Sequence, residues 1–124
     1  MEFQQLTGSS AKSLKEVHKK AKGLNKKIPL VCVSSVEKGA LLVTQGGSFF
    51  GRIPQLTIKS TVGAGDSMVA GMIYCLTTGE KDGAELLRWG LAAAAATLSH
   101  AGTAFGSATG IRKYYKLTKV KKYA

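Results

Sequence analysis

One short stretch carries residue types that could do chemistry on a charged substrate: Ser60-Thr61-Val62-Gly63-Ala64-Gly65-Asp66-Ser67. Two glycines flank one alanine just ahead of a helix-like pattern. Backbone N–H groups can therefore converge on an anion with little side chain in the way. The helix N-terminus adds partial positive charge at the same spot. A phosphoryl group in transfer needs such a cradle, because the charge on its oxygens must be held in the transition state. Asp66 then stands at the anion site, where a bound phosphate would repel it. Two roles fit a carboxylate there: a helix N-cap, or a general base that takes the proton of an attacking hydroxyl. Spacing alone leaves both open. The stretch is not a Walker A loop, since no Lys-Ser or Lys-Thr pair follows the last glycine. Nor is it a G-x-G-x-x-G fingerprint, since Met68 stands where the third glycine would be.

The elements that must position this stretch are legible in outline. A helix is expected to begin near Gly65, with Met68, Val69, Met72, Ile73 and Leu76 as its apolar stripe. Thr77 to Gly83 reads as a polar turn. Glu85 to Ser99 reads as a second apolar helix, whose Ala92–Ala96 run allows close packing. Upstream, Ala11 to Gly23 reads as an amphipathic helix, with Leu14, Val17 and Ala21 on one face and a C-terminal turn over Gly23–Lys27. Ile28 to Ser34 is a largely apolar run, as expected of a strand buried in a parallel sheet. Ala40–Thr44 and Gly47–Ile53 read as two shorter strands. Gly102–Gly110 is a small-residue loop, Ile111–Leu117 a short last helix, and residues 118–124 a basic tail. Helices alternating with buried strands argue for a layered α/β architecture.

Composition narrows the class. The chain has 124 residues, enough for one small domain. Apolar residues make up 44%, which excludes full disorder. The net charge is +11, which favours an anionic partner without naming it. Cys32 and Cys75 lie in apolar contexts without zinc spacing and read as buried free thiols of a cytoplasmic protein. No run reaches the ~18 apolar residues of a membrane helix, so no membrane partner is expected. Lys12–Lys27 holds seven lysines, and Arg112–Lys122 six basic residues. These runs read first as a solvated helix face and a frayed tail, with a nucleic-acid footprint ranked last. His18 reads as a surface residue, and His100 as a helix C-terminal contact. Trp89, Met68 and Met72 read as core, Lys38 and Lys59 as exposed.

Ser60 to Gly71, continuing as Ser67-Met68-Val69-Ala70-Gly71, resembles the C-terminal signature of the PfkB/ribokinase family of sugar kinases. Within that family it is similar to the bacterial phosphofructokinase branch: the minor 6-phosphofructokinase isozyme and 1-phosphofructokinase, with tagatose-6-phosphate kinase close by. Other segments agree in order. Val31 to Leu42, with Ser34 and Lys38-Gly39-Ala40, resembles the strand-turn-strand near the nucleotide. Trp89 to Leu98 with Gly102-Thr103 resembles the helix and loop bordering the adenine pocket. Glu2-Phe3 with Leu6-Thr7-Gly8 resembles the end of the family's Asn-x-x-Glu segment.

The resemblance implies the C-terminal portion of a ribokinase-like, three-layer αβα fold over residues 1–124, without the lid. It implies ATP-dependent phosphorylation of a phosphorylated ketohexose, giving fructose 1,6-bisphosphate. Asp66 would be the catalytic base. Gly63, Ala64 and Gly65 would form the anion hole, and Ser34, Gly39 and Gly102 would line the nucleotide site. Mg²⁺ would come with ATP, with Glu2 an indirect contributor. K⁺ would sit near Ser60 and Val62, and the full-length enzyme could be an oligomer. Two departures stand out. Val36 replaces the Gly usual in the Ser-x-Gly turn, and the chain matches only the C-terminal part of a family member. An inactive nucleotide- or anion-binding remnant is therefore the main alternative, followed by tagatose-6-phosphate kinase or another sugar kinase of the family, and by a basic nucleic-acid-binding module.

Overall fold

The computed structural model describes residues 3–7, 14–36, 39–54, 64–80, 82–99 and 108–123. Five strands form one sheet in the order β1 (Phe3–Thr7), β2 (Leu30–Val36), β3 (Gly39–Thr44), β4 (Gly47–Arg52) and β5 (Lys119–Tyr123). β1 and β2 are parallel, joined through α1 (Leu14–Asn25). The pairings of β2 with β3, β3 with β4 and β4 with β5 are antiparallel. The apolar run of β2 predicts a place within a parallel sheet. β2 instead has one parallel and one antiparallel neighbour, and its apolar run serves burial on both faces just as well.

Each face of the sheet has its own core. Val17 and Ala21 of α1 pack on Val31, Val33, Leu41 and Val43. On the other face, α2 (Ala64–Thr77) and α3 (Gly83–Leu98) bury Met68, Met72, Leu87 and Leu91 against Leu30, Cys32, Ala40 and Leu42. Strand alternation sends Val31 and Val33 one way and Leu30 and Cys32 the other. The result is the expected three-layer αβα arrangement. Cys32 and Cys75 are buried free thiols, and Met68 and Met72 are core. No helix among the described residues is long and apolar enough to cross a membrane.

Several element ends differ from the sequence expectation. α1 runs through Gly23 to Asn25. Its stop is built by the Asn25 amide, which donates to the carbonyls of Ile28 (3.0 Å) and Pro29 (2.9 Å). α4 (Ala108–Leu117) begins inside the expected loop. The basic tail is folded: Lys119–Tyr123 pairs with β4 as an edge strand, where exposed lysines are common. His18 is half-buried, hydrogen-bonded through Nε2 to Ser48 Oγ at 2.7 Å and edge-on to Tyr123.

Candidate functional site

Asp66 lies in the first turn of α2, two residues after Ala64 opens the helix. The first N–H groups of a helix have no partner within it, and a carboxylate in this turn is favoured by the helix dipole. Gly65 and Asp66 are exposed, while the next residue, Ser67, is buried. Ser67 Oγ and Thr97 Oγ1 are 2.6 Å apart, and both residues are buried. That hydroxyl pair pins the first turn of α2 to the last turn of α3. It fixes the rotation of α2 and thereby holds Asp66 on the open side.

The same two helices meet closely lower down. A Cβ on Gly71 would lie 2.9 Å from both the Ala93 Cβ and the Trp89 carbonyl oxygen. A Cβ on Gly90 would lie 2.7 Å from Met72 Cγ and 3.0 Å from the Met68 carbonyl oxygen. Gly71 closes the sequence signature, and its lack of a side chain serves this approach. α3 starts at Asp82, which caps it by accepting from the Ala84 N–H at 3.0 Å. α3 is held to α4 by Trp89 stacked on Tyr115, and by the Tyr115 hydroxyl donating to Glu85 at 2.6 Å. Trp89 is thus only partly buried and packs against the core from outside.

The other expected site residues divide sharply. Gly39 opens β3, opposite Arg52 of β4. A Cβ there would collide with the Gly51 carbonyl oxygen and lie 2.9 Å from Phe50 Cζ, so strand packing by itself demands glycine. Ser34 is described in its backbone alone; it pairs with Ala40, and the ladder shifts between Ser34 and Val36. Val36 closes β2 opposite Gly39, a strand position that suits a β-branched residue. Glu2, Ser60, Val62, Gly63 and Gly102 lie outside the described residues, as do Lys38, Lys59 and His100. Among the described residues no group of three or more His, Cys, Asp or Glu could hold a metal.

A cavity of about 630 Å³ opens between α2, α3 and α4, lined by Ser67, Ala70, Trp89, Ala93 and Thr97 among others. It lies on the face of α3 turned away from Leu87 and Leu91, hence away from β3 and Gly39. The Ser67–Thr97 pair and the Gly71–Gly90 approach carry no side-chain chemistry of their own, so residue type does not single them out. Their signals are the serine after Asp66 and a lone threonine ending an alanine run.

The fold and this helix start define a carbohydrate-kinase architecture, and the comparisons agree. Residues 1–109 match the pfkB family of carbohydrate kinases, and the chain belongs to that family. It is 38% identical over 93 residues to the 1-phosphofructokinase of Escherichia coli (strain K12), covering 74% of this chain and 30% of the relative. Among solved structures, Escherichia coli phosphofructokinase-2 in complex with potassium superposes with a TM-score of 0.84 at 28% identity, covering 94% of this chain and 40% of that one. A possible 1-phosphofructokinase from Thermotoga maritima gives 0.81 at 26% identity, covering 91% and 36%. The chain therefore spans less than a third of the length of its Escherichia coli 1-phosphofructokinase relative.

Proposed function

We propose that this chain supplies the catalytic base and part of the nucleotide site of an ATP-dependent kinase acting on a phosphorylated ketohexose. Fructose 1-phosphate is the first candidate and fructose 6-phosphate the second; either would yield fructose 1,6-bisphosphate. The observation that carries this reading is the exposed Asp66 on a helix start pinned from behind by Ser67 and Thr97. The family membership supports the phosphotransfer chemistry, and the 1-phosphofructokinase relative supports the order of substrates.

In this reading Asp66 accepts the proton of the sugar hydroxymethyl group. The freed oxygen bonds to the γ-phosphorus of ATP as the bond to the bridging oxygen breaks, releasing ADP. The N–H groups from Gly63 to Asp66 hold the charge of the transferring group, which is where most of the catalytic help in phosphoryl transfer lies. ATP brings the phosphoryl group and, with it, magnesium. Potassium near Ser60 and Val62 would strengthen the same anion site; the Escherichia coli phosphofructokinase-2 structure with potassium supports testing it.

An inactive nucleotide- or anion-binding remnant is the second reading, and it rests on the same Asp66 helix start. An ADP-coupled assay on the chain with fructose 1-phosphate, fructose 6-phosphate and tagatose 6-phosphate separates the two, with ATP binding followed by calorimetry. Turnover with one of the three supports the kinase. ATP binding with no turnover on any supports the remnant, and neither binding nor turnover removes both.

A further inference from the structure

The two lysine-rich runs, far apart in sequence, converge on one face of the folded chain. Lys15, Lys19 and Lys22 are spaced four and three residues apart, so they form one exposed row along α1. The side to which that row turns is set by His18, which neighbours it on the helix. His18 bonds Ser48 of β4 and packs edge-on to Tyr123 of β5. The row thus flanks the β4–β5 part of the sheet. Lys22 is near enough to His18 to act on it electrostatically: burial first, then the Lys22 charge, holds the imidazole below its ordinary range.

α1 packs over β2 and β3, and the same face of β4 and β5 continues beside it. Phe50 and Tyr123 pack against the α1-side core, whereas Phe49 and Val120 pack against the opposite one. Alternation along each strand therefore puts Arg52, Lys119 and Lys121 on the α1 side. All three are exposed. Arg52 stands directly opposite Lys119, and Phe50 opposite Lys121. The Arg52 guanidinium lies over the Phe50 ring at 4.9 Å.

The described acids lie elsewhere. Asp66, Glu80, Asp82 and Glu85 belong to the α2–α3 layer, leaving Glu16 as the acid on α1. β5 also lies beyond residues 1–109, so Lys119 and Lys121 are outside the family match.

We infer that the trough between the α1 lysine row and the β4–β5 face binds the phosphate backbone of a nucleic acid. A helix about 10 Å across standing on a sheet makes a wall and a floor, both basic. A linear polyanion can touch both at once, whereas a flat membrane reaches only the rim. This inference is independent of the kinase reading, because none of these residues belongs to the Asp66 site.

The test is fluorescence anisotropy of the full chain with a labelled single-stranded RNA of about 20 nucleotides, titrated across salt concentration. Two charge-matched variants sort trough from net charge: Lys19→Ala/Lys22→Ala on the row, and a far-side variant, Lys20→Ala/Lys27→Ala, with Lys20 across α1 from the row and Lys27 in the turn after the helix. A third, Arg52→Ala/Lys119→Ala/Lys121→Ala, tests the floor, with circular dichroism reporting that each variant is folded. Binding that persists at about 150 mM salt is expected. The row variant should weaken it at least tenfold more than the far-side one. The floor variant should lower the salt slope by about two, at ~0.7 for each phosphate no longer neutralised. Equal losses in the row and far-side variants would reduce the effect to overall charge and overturn the inference. So would loss of binding at physiological salt, or tighter binding to phosphatidylserine vesicles than to RNA.

Discussion

The Ser67–Thr97 hydroxyl pair shows how a buried contact governs an exposed carboxylate. Both residues are buried, and one hydroxyl donates to the other. Thr97→Val keeps the volume but leaves Ser67 without its partner, which costs about 1–3 kcal/mol. The loss should appear in the chemical denaturation midpoint. In an active kinase, kcat should fall more than KM rises, because the pair orients Asp66 without touching substrate. The thiols give a second residue-scale expectation. Burial pushes Cys32 from 9.0 up to about 12. Cys75 rises to about 11, through burial first and then the charges of Glu80, Glu85 and Asp82. A raised folded-state pKa stabilises the fold below the unfolded value and loses that contribution as pH climbs through the folded one. Denaturation midpoints should thus hold up to about pH 9 and fall toward pH 11–12. Neither thiol should react with iodoacetamide at pH 8 until denaturant is added.

At the scale of elements, the spacing between α2 and α3 decides where the signature helix lies. Gly71→Ala would press a methyl group onto the Ala93 Cβ and the Trp89 carbonyl, forcing the helices apart at a cost of about 1–3 kcal/mol. Gly23 of α1 is the contrast. A Cβ there meets nothing within 4 Å, so Gly23→Ala should stabilise by about 0.5–1 kcal/mol. Thermal melts of the two variants should move in opposite directions. The strongly periodic elements are legible in sequence: α2 opens one residue from the expected Gly65, α3 two residues from Glu85, and β3 and β4 flank the Gln45-Gly46 turn. Two strands are not legible. Phe3–Thr7 carries no strand expectation, and the expected basic tail Lys119–Tyr123 is a strand; both pair with partners remote in sequence, and Lys-Val-Lys-Lys-Tyr has too little apolar alternation to declare itself. Partnership with β2 and β4 makes them strands. Likewise Asp66 declares itself by residue type, whereas Ser67–Thr97 needs the fold to bring the two together.

For the whole molecule, the unequal distribution of charge is the governing fact. With +11 overall and the lysines gathered on α1 and β5, self-repulsion works against the compact state. Screening by salt relieves it, so Tm should rise between about 10 mM and 150 mM sodium chloride, with most of the gain once the Debye length shrinks toward 8 Å. A falling Tm over that range would mean that attractive pairs, not the basic face, dominate the electrostatics. The three-layer fold separates two regions of distinct character: the Asp66 helix start on the α2–α3 side, and the basic trough on the α1 side.

The proposed role of Asp66 as proton acceptor of a sugar-phosphate kinase is tested by turnover of Asp66→Asn beside the unsubstituted chain with ATP and fructose 1-phosphate, with ATP affinity measured in parallel. The expected result is a kcat lowered by about 10²–10⁴-fold with ATP binding retained. Turnover within a few-fold of the unsubstituted chain would contradict the claim.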